Sequence, residues 1–182
     1  MSGDRDVTRE RIISAAEKVF SEYGFFRAPV HLIAREAGVS KGLVFWYFRD
    51  KMELIVEVAK RSLPLDVIDS CLEENLRGRD VLECIGKNYL DKYRDPRWKS
   101  LLLHAIALET QVREIAEDVR KLCEEKIEAV AERAFGESST KTRILLRIFF
   151  GGLMCFVLRP PKDIDEQTFL KNLINIIFKN AL

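Results

Sequence analysis

Apolar side chains recur three or four positions apart through most of this chain, which is the spacing of one buried face of an α-helix. No run alternates with the period of two that a half-buried β-strand requires. The first helical run extends from Ile12 to Tyr23. Thr8 is placed to cap its start, and Gly24 is placed to end it in the left-handed conformation. The pattern therefore predicts an all-α protein.

Three more helices are predicted in the next forty or so residues. Pro29 suits the first turn of the second helix, where a missing N–H costs nothing, and Gly38 ends that helix. Ser40 is placed to cap a short third helix that is rich in aromatic residues. Asp50 is placed to cap the fourth helix, and Glu53 follows at the spacing of a capping box.

A proline at position 64 ends the fourth helix, because the residue before a proline avoids the helical conformation. We therefore predict a head over residues 1–63 and a body over residues 64–182. The head is built on a three-helix unit with a helix-turn-helix, which the fourth helix closes near residue 63. The body is a larger helical bundle, with nine or ten helices in all. The helices of the body are predicted over 66–76, 79–94, 97–110, 111–135, 139–158 and 163–181. The break near residue 110 stays open, since 97–135 could be one bent helix.

The last two predicted helices are apolar on more than one face, which requires more than one packing partner. The body can cover one face, and a second copy of the chain could cover the other; the alternative is a core wholly within one chain. We expect a homodimer, with a glycine pair at 151 and 152 that lets a neighbouring helix approach closely. The candidate interface residues are Ile148, Gly151, Gly152, Cys155, Leu170, Leu173, Ile174 and Ile177.

Composition adds little to this picture. Hydrophobic residues make up 47% of the 182 residues, which suffices for a sizeable core and argues against disorder. The net charge is only +1, so a nucleic-acid partner would have to be attracted by a local patch of charge.

The four cysteines, at positions 71, 84, 123 and 155, do not have the spacing of metal ligands or of a redox motif. We expect free cysteines that pack as small hydrophobic residues. The apolar run 144–158 is shorter than the roughly 20 residues of a membrane-spanning helix, and no apolar leader follows Met1. The sequence therefore predicts a soluble, cytoplasmic protein without membrane association, metal site or cofactor.

A specific motif stands in the head, where Ala37-Gly38-Val39-Ser40-Lys41-Gly42 is followed by a cluster of aromatic residues. Residues 8–63 resemble the DNA-binding head of the TetR family of transcriptional regulators. The match also includes Ile12, Ala15-Ala16, Phe20, Gly24-Phe25, Ile33-Ala34, Tyr47-Phe48, Lys51 and Leu54. The resemblance implies an all-helical body that holds an effector pocket, and a dimer whose last two helices pair across a two-fold axis.

The helix-turn-helix spans about residues 29–48, and its third helix would enter a DNA groove. Val44 and Phe48 are spaced to anchor that helix, which leaves other side chains on its open side. The candidate DNA-binding residues are Arg27, Ser40, Lys41, Gly42, Leu43, Trp46, Tyr47 and Lys51. The chain departs from the family pattern at Ala28-Pro29, at Leu43 and at Phe45, where the family commonly has Thr or Ser, Thr, and Tyr. The open side is therefore unusually apolar, and Leu43 is limited to apolar contacts such as a thymine methyl group.

An effector pocket would be lined by aromatic and apolar residues of the body, so the effector is expected to be a largely apolar small molecule. Each of these residues has plain core packing as its alternative. The candidate pocket residues are Tyr89, Tyr93, Trp98, His104, Leu108, Phe149 and Phe156.

The function implied is that of a ligand-responsive, sequence-specific DNA-binding regulator, a repressor that its effector releases from a palindromic operator. An enzyme is not expected, because only two histidines are present, far apart, and no phosphate loop, metal cluster or nucleophile elbow is found. We therefore name no catalytic residue. The second reading is a helical ligand-binding or scaffold protein that has lost operator binding.

Overall fold

The computed structural model describes the backbone of residues 2–181 and the side chains of residues 5–113 and 116–181. Ten α-helices and no β-strand occur within the described backbone, which confirms the predicted all-α fold and its number of helices. The helices are α1 (Ser2–Tyr23), α2 (Val30–Glu36), α3 (Lys41–Tyr47), α4 (Lys51–Ser62), α5 (Leu65–Glu73), α6 (Arg79–Arg94), α7 (Pro96–Gln111), α8 (Arg113–Phe135), α9 (Thr140–Leu158) and α10 (Glu166–Ala181).

The helices form two compact units whose boundaries along the chain fall at 63/64, 95/96 and 116/117. The first unit contains α1–α4 together with α7, and the second contains α5, α6, most of α8, α9 and α10. The sequence places α7 in the body, whereas the structure groups it with the amino-terminal helices. This grouping has a physical reason, since α7 packs against both α1 and α4.

The core of the first unit lies among α1, α4 and α7. It includes the fully buried side chains of Phe20, Leu54 and Leu101, one from each helix. Across the surface of the same unit, Arg61 of α4 pairs with Glu10 of α1 and with Glu57, the latter at 3.2 Å. Apolar burial therefore holds the three helices together, and ion pairs add a smaller contribution.

The second unit depends on two close helix contacts that glycine allows. A methyl group added to Gly86 of α6 would overlap the Cδ1 atom of Leu170 in α10. A methyl group added to Gly152 of α9 would lie 3.3 Å from both Cδ atoms of Leu173. Gly152 and both leucines, which the sequence assigns to a dimer interface, thus make contacts within the chain.

The exposed face of α9 is narrower than the sequence predicts. Ile148, Gly151 and Cys155 lie on it together with Ile144, and the two isoleucines are about half exposed. In contrast, Ile174 and Ile177 of α10 are 1% and 0% exposed, so their prediction as interface residues is wrong. Their side chains belong to the core of the second unit, because α10 packs against α6 and α9.

The expectation that all four cysteines are free is also wrong. Cys71 of α5 and Cys84 of α6 form a disulfide, with their Cα atoms 5.9 Å apart, and Cys155 is an exposed free thiol. The Asn88 side-chain amide lies 3.4 Å from the Cys71 sulfur. The pair was missed because its separation of 13 positions matches no motif, and only the packing of α5 against α6 brings the two sulfurs together.

The ends of the body helices agree with the structure to within three residues, and two predicted starts among the amino-terminal helices differ from it. Thr8 lies inside α1 rather than at its cap, because the helix already begins at Ser2 and no proline interrupts the residues between them. Pro29 precedes the first turn of α2 as its N-cap. The open question near residue 110 is settled at Val112, which separates α7 from α8.

The capping bonds of the fourth helix differ slightly from a capping box. The Asp50 carboxylate accepts the Glu53 backbone N–H at 2.8 Å, as predicted. The Glu53 carboxylate accepts the N–H of Arg49, one residue before the expected Asp50 N–H. Among the described residues, no helix combines the length and the apolar composition that crossing a bilayer would require.

Candidate nucleic-acid interface

The turn between α2 and α3 is built by two residues with separate roles. Gly38 has a φ of 62°, in the left-handed region that glycine adopts without steric cost. Ser40 then takes an extended conformation, and its hydroxyl accepts the backbone N–H of Leu43 at 3.1 Å. This bond satisfies a free N–H group at the start of α3 and fixes where the helix begins.

One face of α3 is sealed in the first unit. Val44 and the following Phe48 are each 1% exposed, and the Arg9 guanidinium lies 5.2 Å from the centre of the Phe48 ring. The opposite face is open, with Trp46 60% exposed and Phe45 40% exposed. The spacing of four between the two buried residues therefore orients the helix as the sequence predicts.

The exposed rings of α3 have cationic and aromatic neighbours. The Arg5 guanidinium lies 5.3 Å from the centre of the Trp46 ring, and the Tyr47 ring meets that indole edge to face at 4.8 Å. Lys41 extends along its own helix, with its ammonium 5.8 Å from the centre of the Phe45 ring. Sequence analysis missed Arg5 and Arg9, although their spacing of four on α1 could have indicated a shared face.

The other candidate residues of the head are distributed around this surface. The Lys51 ammonium donates to the carbonyl oxygen of Phe26 at 2.7 Å, and burial lowers the pKa of Lys51. Lys51 is thereby tied to the segment between α1 and α2, whereas Arg27 in that segment is exposed. Gly42 is exposed on α3, and a Cβ there would meet only the Ser40 hydroxyl, at 3.8 Å. The backbone of α3 is therefore open at this point.

The predicted pocket residues divide between the two units. Tyr89 and Tyr93 of α6 are buried with their rings 4.6 Å apart, and Phe149 and Phe156 of α9 are also buried in the second unit. Burial raises the pKa of both tyrosines well above the ordinary value. The other three candidates lie on α7, in the first unit; they are Trp98, His104 and Leu108.

The first unit has a cavity of about 270 Å³ beside α7. His104 and Leu108 line it together with Gly24, Phe25 and other residues that follow α1. The His104 ring lies 5.8 Å from the Phe25 ring, centre to centre, and burial lowers the pKa of His104. Two of the predicted pocket residues therefore do line a cavity.

The second unit has a groove of about 600 Å³ between α6 and α10. Its apolar floor consists of Leu90, Leu170 and Ile174. Charged side chains form its rim, where Arg94 pairs with Glu166 at 2.5 Å. None of the predicted pocket aromatics lines this groove. The four that belong to this unit are buried in its core, and Trp98 and His104 belong to the first unit.

Comparison with known proteins agrees with this geometry. Residues 12–58, from α1 to α4, match the family model described as bacterial regulatory proteins, tetR family. The HTH-type transcriptional regulator SrpR of Pseudomonas putida is 42% identical over 67 residues, which are 36% of this chain and 32% of SrpR. This chain thus matches about a third of the length of that relative.

Two further comparisons extend over almost the whole chain. The HTH-type transcriptional regulator AcrR of Shigella flexneri is 22% identical over 96% of this chain and 89% of its own length. A crystal structure of a TetR-like transcriptional regulator from Rhodococcus superposes with a TM-score of 0.68 at 19% identity, covering 95% of this chain and 94% of that chain. The second likeness supports the fold, and the family model identifies the head. The family match is thus confined to residues 12–58, where the chain resembles the bacterial regulatory proteins of the tetR family.

Proposed function

We propose that this chain is a ligand-responsive, sequence-specific DNA-binding transcriptional regulator. It acts as a repressor that a largely apolar small molecule releases from a palindromic operator. The observation that carries DNA binding is the orientation of α3, whose buried anchors Val44 and Phe48 leave Phe45 and Trp46 exposed. A capped helix with one sealed and one open face, preceded by a glycine turn, is suited to lie in a major groove.

Cations near α3 supply the attraction to phosphate that the net charge of the chain does not. Lys41 is exposed at the start of α3, and Arg27 is exposed in the segment before α2. Arg5 lies against Trp46 and thus beside the open face. These side chains hold the duplex through its backbone, and the surface of α3 contacts the bases.

The proposal includes a homodimer, because a palindromic operator presents two half-sites to a two-fold symmetric protein. Ile144, Ile148, Gly151 and Cys155 form an exposed stripe on α9, spaced as on one helix face. Pairing of two such stripes would remove apolar surface from water. The recognition helices of the dimer would then meet successive major grooves about 34 Å apart.

Effector control follows from a shift between two states of the dimer. A ligand that binds better when the heads are splayed draws the population away from the spacing that DNA requires. Its effect cannot exceed its difference in affinity for the two states. A regulator of this kind shares a compartment with the chromosome, so the proposal places the chain in the cytoplasm.

The test is a fluorescence-anisotropy titration with duplexes enriched from a random library by the full chain. We expect affinity to fall steeply between ~50 and ~200 mM salt, because counterions are released from DNA on binding. Lys41→Ala should weaken binding to all sequences and reduce the salt slope by about 1. Lys171→Ala, at the groove of the second unit, is the matched control and should change neither quantity.

Two outcomes would contradict the proposal. Failure to enrich any duplex would favour the scaffold reading, in which operator binding has been lost. Equal DNA affinity with and without every effector tested would instead reject ligand control, provided that calorimetry shows those effectors to bind.

A further inference from the structure

The side chains of α3 have a distinctive chemistry for a helix that reads base pairs. Between Lys41 and Tyr47 the helix has no amide, carboxylate or guanidinium group. Its polar atoms are the Lys41 ammonium, the Trp46 indole N–H and the Tyr47 hydroxyl. The Ser40 hydroxyl before the helix is already engaged by the Leu43 N–H.

Apart from lysine, which the helix has only at Lys41, the groups that usually read the major groove are absent from this helix. Guanine is recognised by bidentate Arg or Lys, adenine by Asn or Gln, and cytosine by an accepting Asp or Glu. Thymine differs because its C5-methyl group presents an apolar surface in that groove. The exposed rings of Phe45 and Trp46, with the half-buried Leu43 three positions before Trp46, are complementary to that methyl group.

The exposed indole is held between neighbours and does not project freely. The Arg5 guanidinium lies over the ring of Trp46, and the Tyr47 ring meets it edge to face. Contacts of this type restrict side-chain rotation, so less conformational entropy is lost when the indole meets a base. Trp46 therefore presents an apolar surface of defined orientation although it is 60% exposed.

We infer that α3 recognises its half-site through thymine methyl groups, with Leu43 and Trp46 as the specificity-determining residues and Arg5 as a positioning residue for the indole. This inference rests on the proposed DNA-binding function and adds the chemical feature that the site selects. The positive charges near the helix bind phosphate and so do not distinguish one sequence from another. Discrimination between sequences then depends on the apolar contacts.

The experiment replaces each thymine of an enriched duplex, one position at a time, by deoxyuridine. Deoxyuridine keeps the base pair and the O4 acceptor and lacks only the methyl group. We expect at least one position in each half-site to lose affinity by roughly fourfold, the effect of removing one buried methyl-sized group. The ratio of the two affinities is measured with the full chain by fluorescence anisotropy.

Protein variants assign the effect to its residues. Trp46→Ala or Leu43→Ala should bring the uridine-to-thymine ratio at a sensitive position close to one, as a double-mutant cycle requires of coupled groups. Arg5→Ala should reduce the ratio partially, because the indole remains but is less restrained. Lys41→Ala is the matched control, which should weaken binding to both duplexes equally. Thermal melting of each variant checks that its fold is intact.

The outcomes separate the inference from the function on which it rests. A duplex that is bound tightly with equal affinity after every uridine replacement overturns the inference and leaves DNA binding standing. A sensitivity to uridine that persists in both Trp46→Ala and Leu43→Ala also overturns it, since other residues would then read the methyl. Failure to enrich any duplex rejects the proposed function, and the inference with it.

Discussion

Single residues determine how the chain turns from α2 into α3. Gly38 provides a left-handed backbone conformation, and the Ser40 hydroxyl accepts a hydrogen bond from the N–H of Leu43. Both requirements concern the backbone within a few residues, so they are visible in the sequence itself. The same is true of Val44 and Phe48, whose spacing alone indicates a common buried face.

The partial burial of His104 makes a prediction about stability and pH. Its folded pKa is lowered by burial, so below the unfolded value of about 6.5 the unfolded chain takes up a proton that the folded chain resists. The free energy of unfolding should therefore fall as pH drops from about 6.5 towards the folded pKa, and then level off.

Replacing the imidazole tests this prediction. His104→Gln should show a shallower loss of stability between about pH 7.5 and about pH 5.5 in urea unfolding. The difference between wild type and variant at about pH 8, where the histidine is neutral in both states, gives the contribution of packing alone. Parallel stability curves for the two proteins across the acidic range would contradict the assignment.

Other residue contacts could not be predicted from the sequence. Arg5 lies 41 positions from Trp46 along the chain, and their contact depends on the packing of α1 near α3. The Cys71–Cys84 disulfide depends in the same way on how α5 meets α6. Local backbone requirements were therefore predictable, whereas contacts between helices needed the structure.

At the scale of elements, the helix ends show the same distinction. Capping residues predicted the start of α3 and α4, and Pro64 predicted the end of α4. The prediction that Thr8 caps the first helix was wrong because a potential cap residue is also tolerated within a helix. The chain is helical on both sides of Thr8. A cap residue thus marks a helix start only where the preceding backbone is extended.

The two glycines on α6 and α9 lead to opposite expectations. Gly86→Ala should destabilise the protein by about 1–3 kcal/mol, because the added methyl overlaps Leu170 at a tightly packed contact. Gly151→Ala is its matched control within one chain, since no described atom outside the adjoining turns of α9 lies within 4 Å of an added Cβ there. The control should gain about 0.5–1 kcal/mol from its higher helix propensity. Denaturant unfolding measures both, and equal effects would contradict the described packing of α10.

The disulfide between α5 and α6 should contribute to stability by restricting the unfolded chain. Its separation of 13 positions corresponds to about 3 kcal/mol in the chain-entropy treatment. The double variant Cys71→Ala/Cys84→Ala should lose about that amount relative to the oxidised protein. Reduced wild type, measured with dithiothreitol present, is the control and should resemble the variant. Detection of four reactive thiols in the unfolded, unreduced protein would contradict the disulfide.

At the scale of the whole molecule, the sequence predicted a dimer surface but not its width. The nearly continuous apolar run in α9 suggested two buried faces, and the structure leaves one of them open. Much of the apolar surface of α10 is covered by other helices of the same chain, where Ile174 and Ile177 are buried. Periodicity shows that a helix has apolar faces but does not reveal which neighbour covers each face.

The proposed dimer can be tested on the exposed stripe of α9. Ile148→Arg should convert the dimer to a monomer, because a charge would be buried at the contact without a partner. Ile106→Arg is the matched control, since Ile106 is 38% exposed on α7 in the first unit. Sedimentation velocity gives the molecular mass of both variants. A wild-type monomer, or an Ile148→Arg dimer, would contradict the proposed interface.

The placement of α7 has a practical consequence for protein engineering. A hybrid protein that takes only residues 1–63 from this chain would lack α7, the later helix that belongs to the same unit. The faces of α1 and α4 that pack against α7 would then meet water or an unrelated helix. A transplant that preserves this module must carry residues 96–116 along with residues 1–63, so the exchange involves two grafted segments and three new junctions.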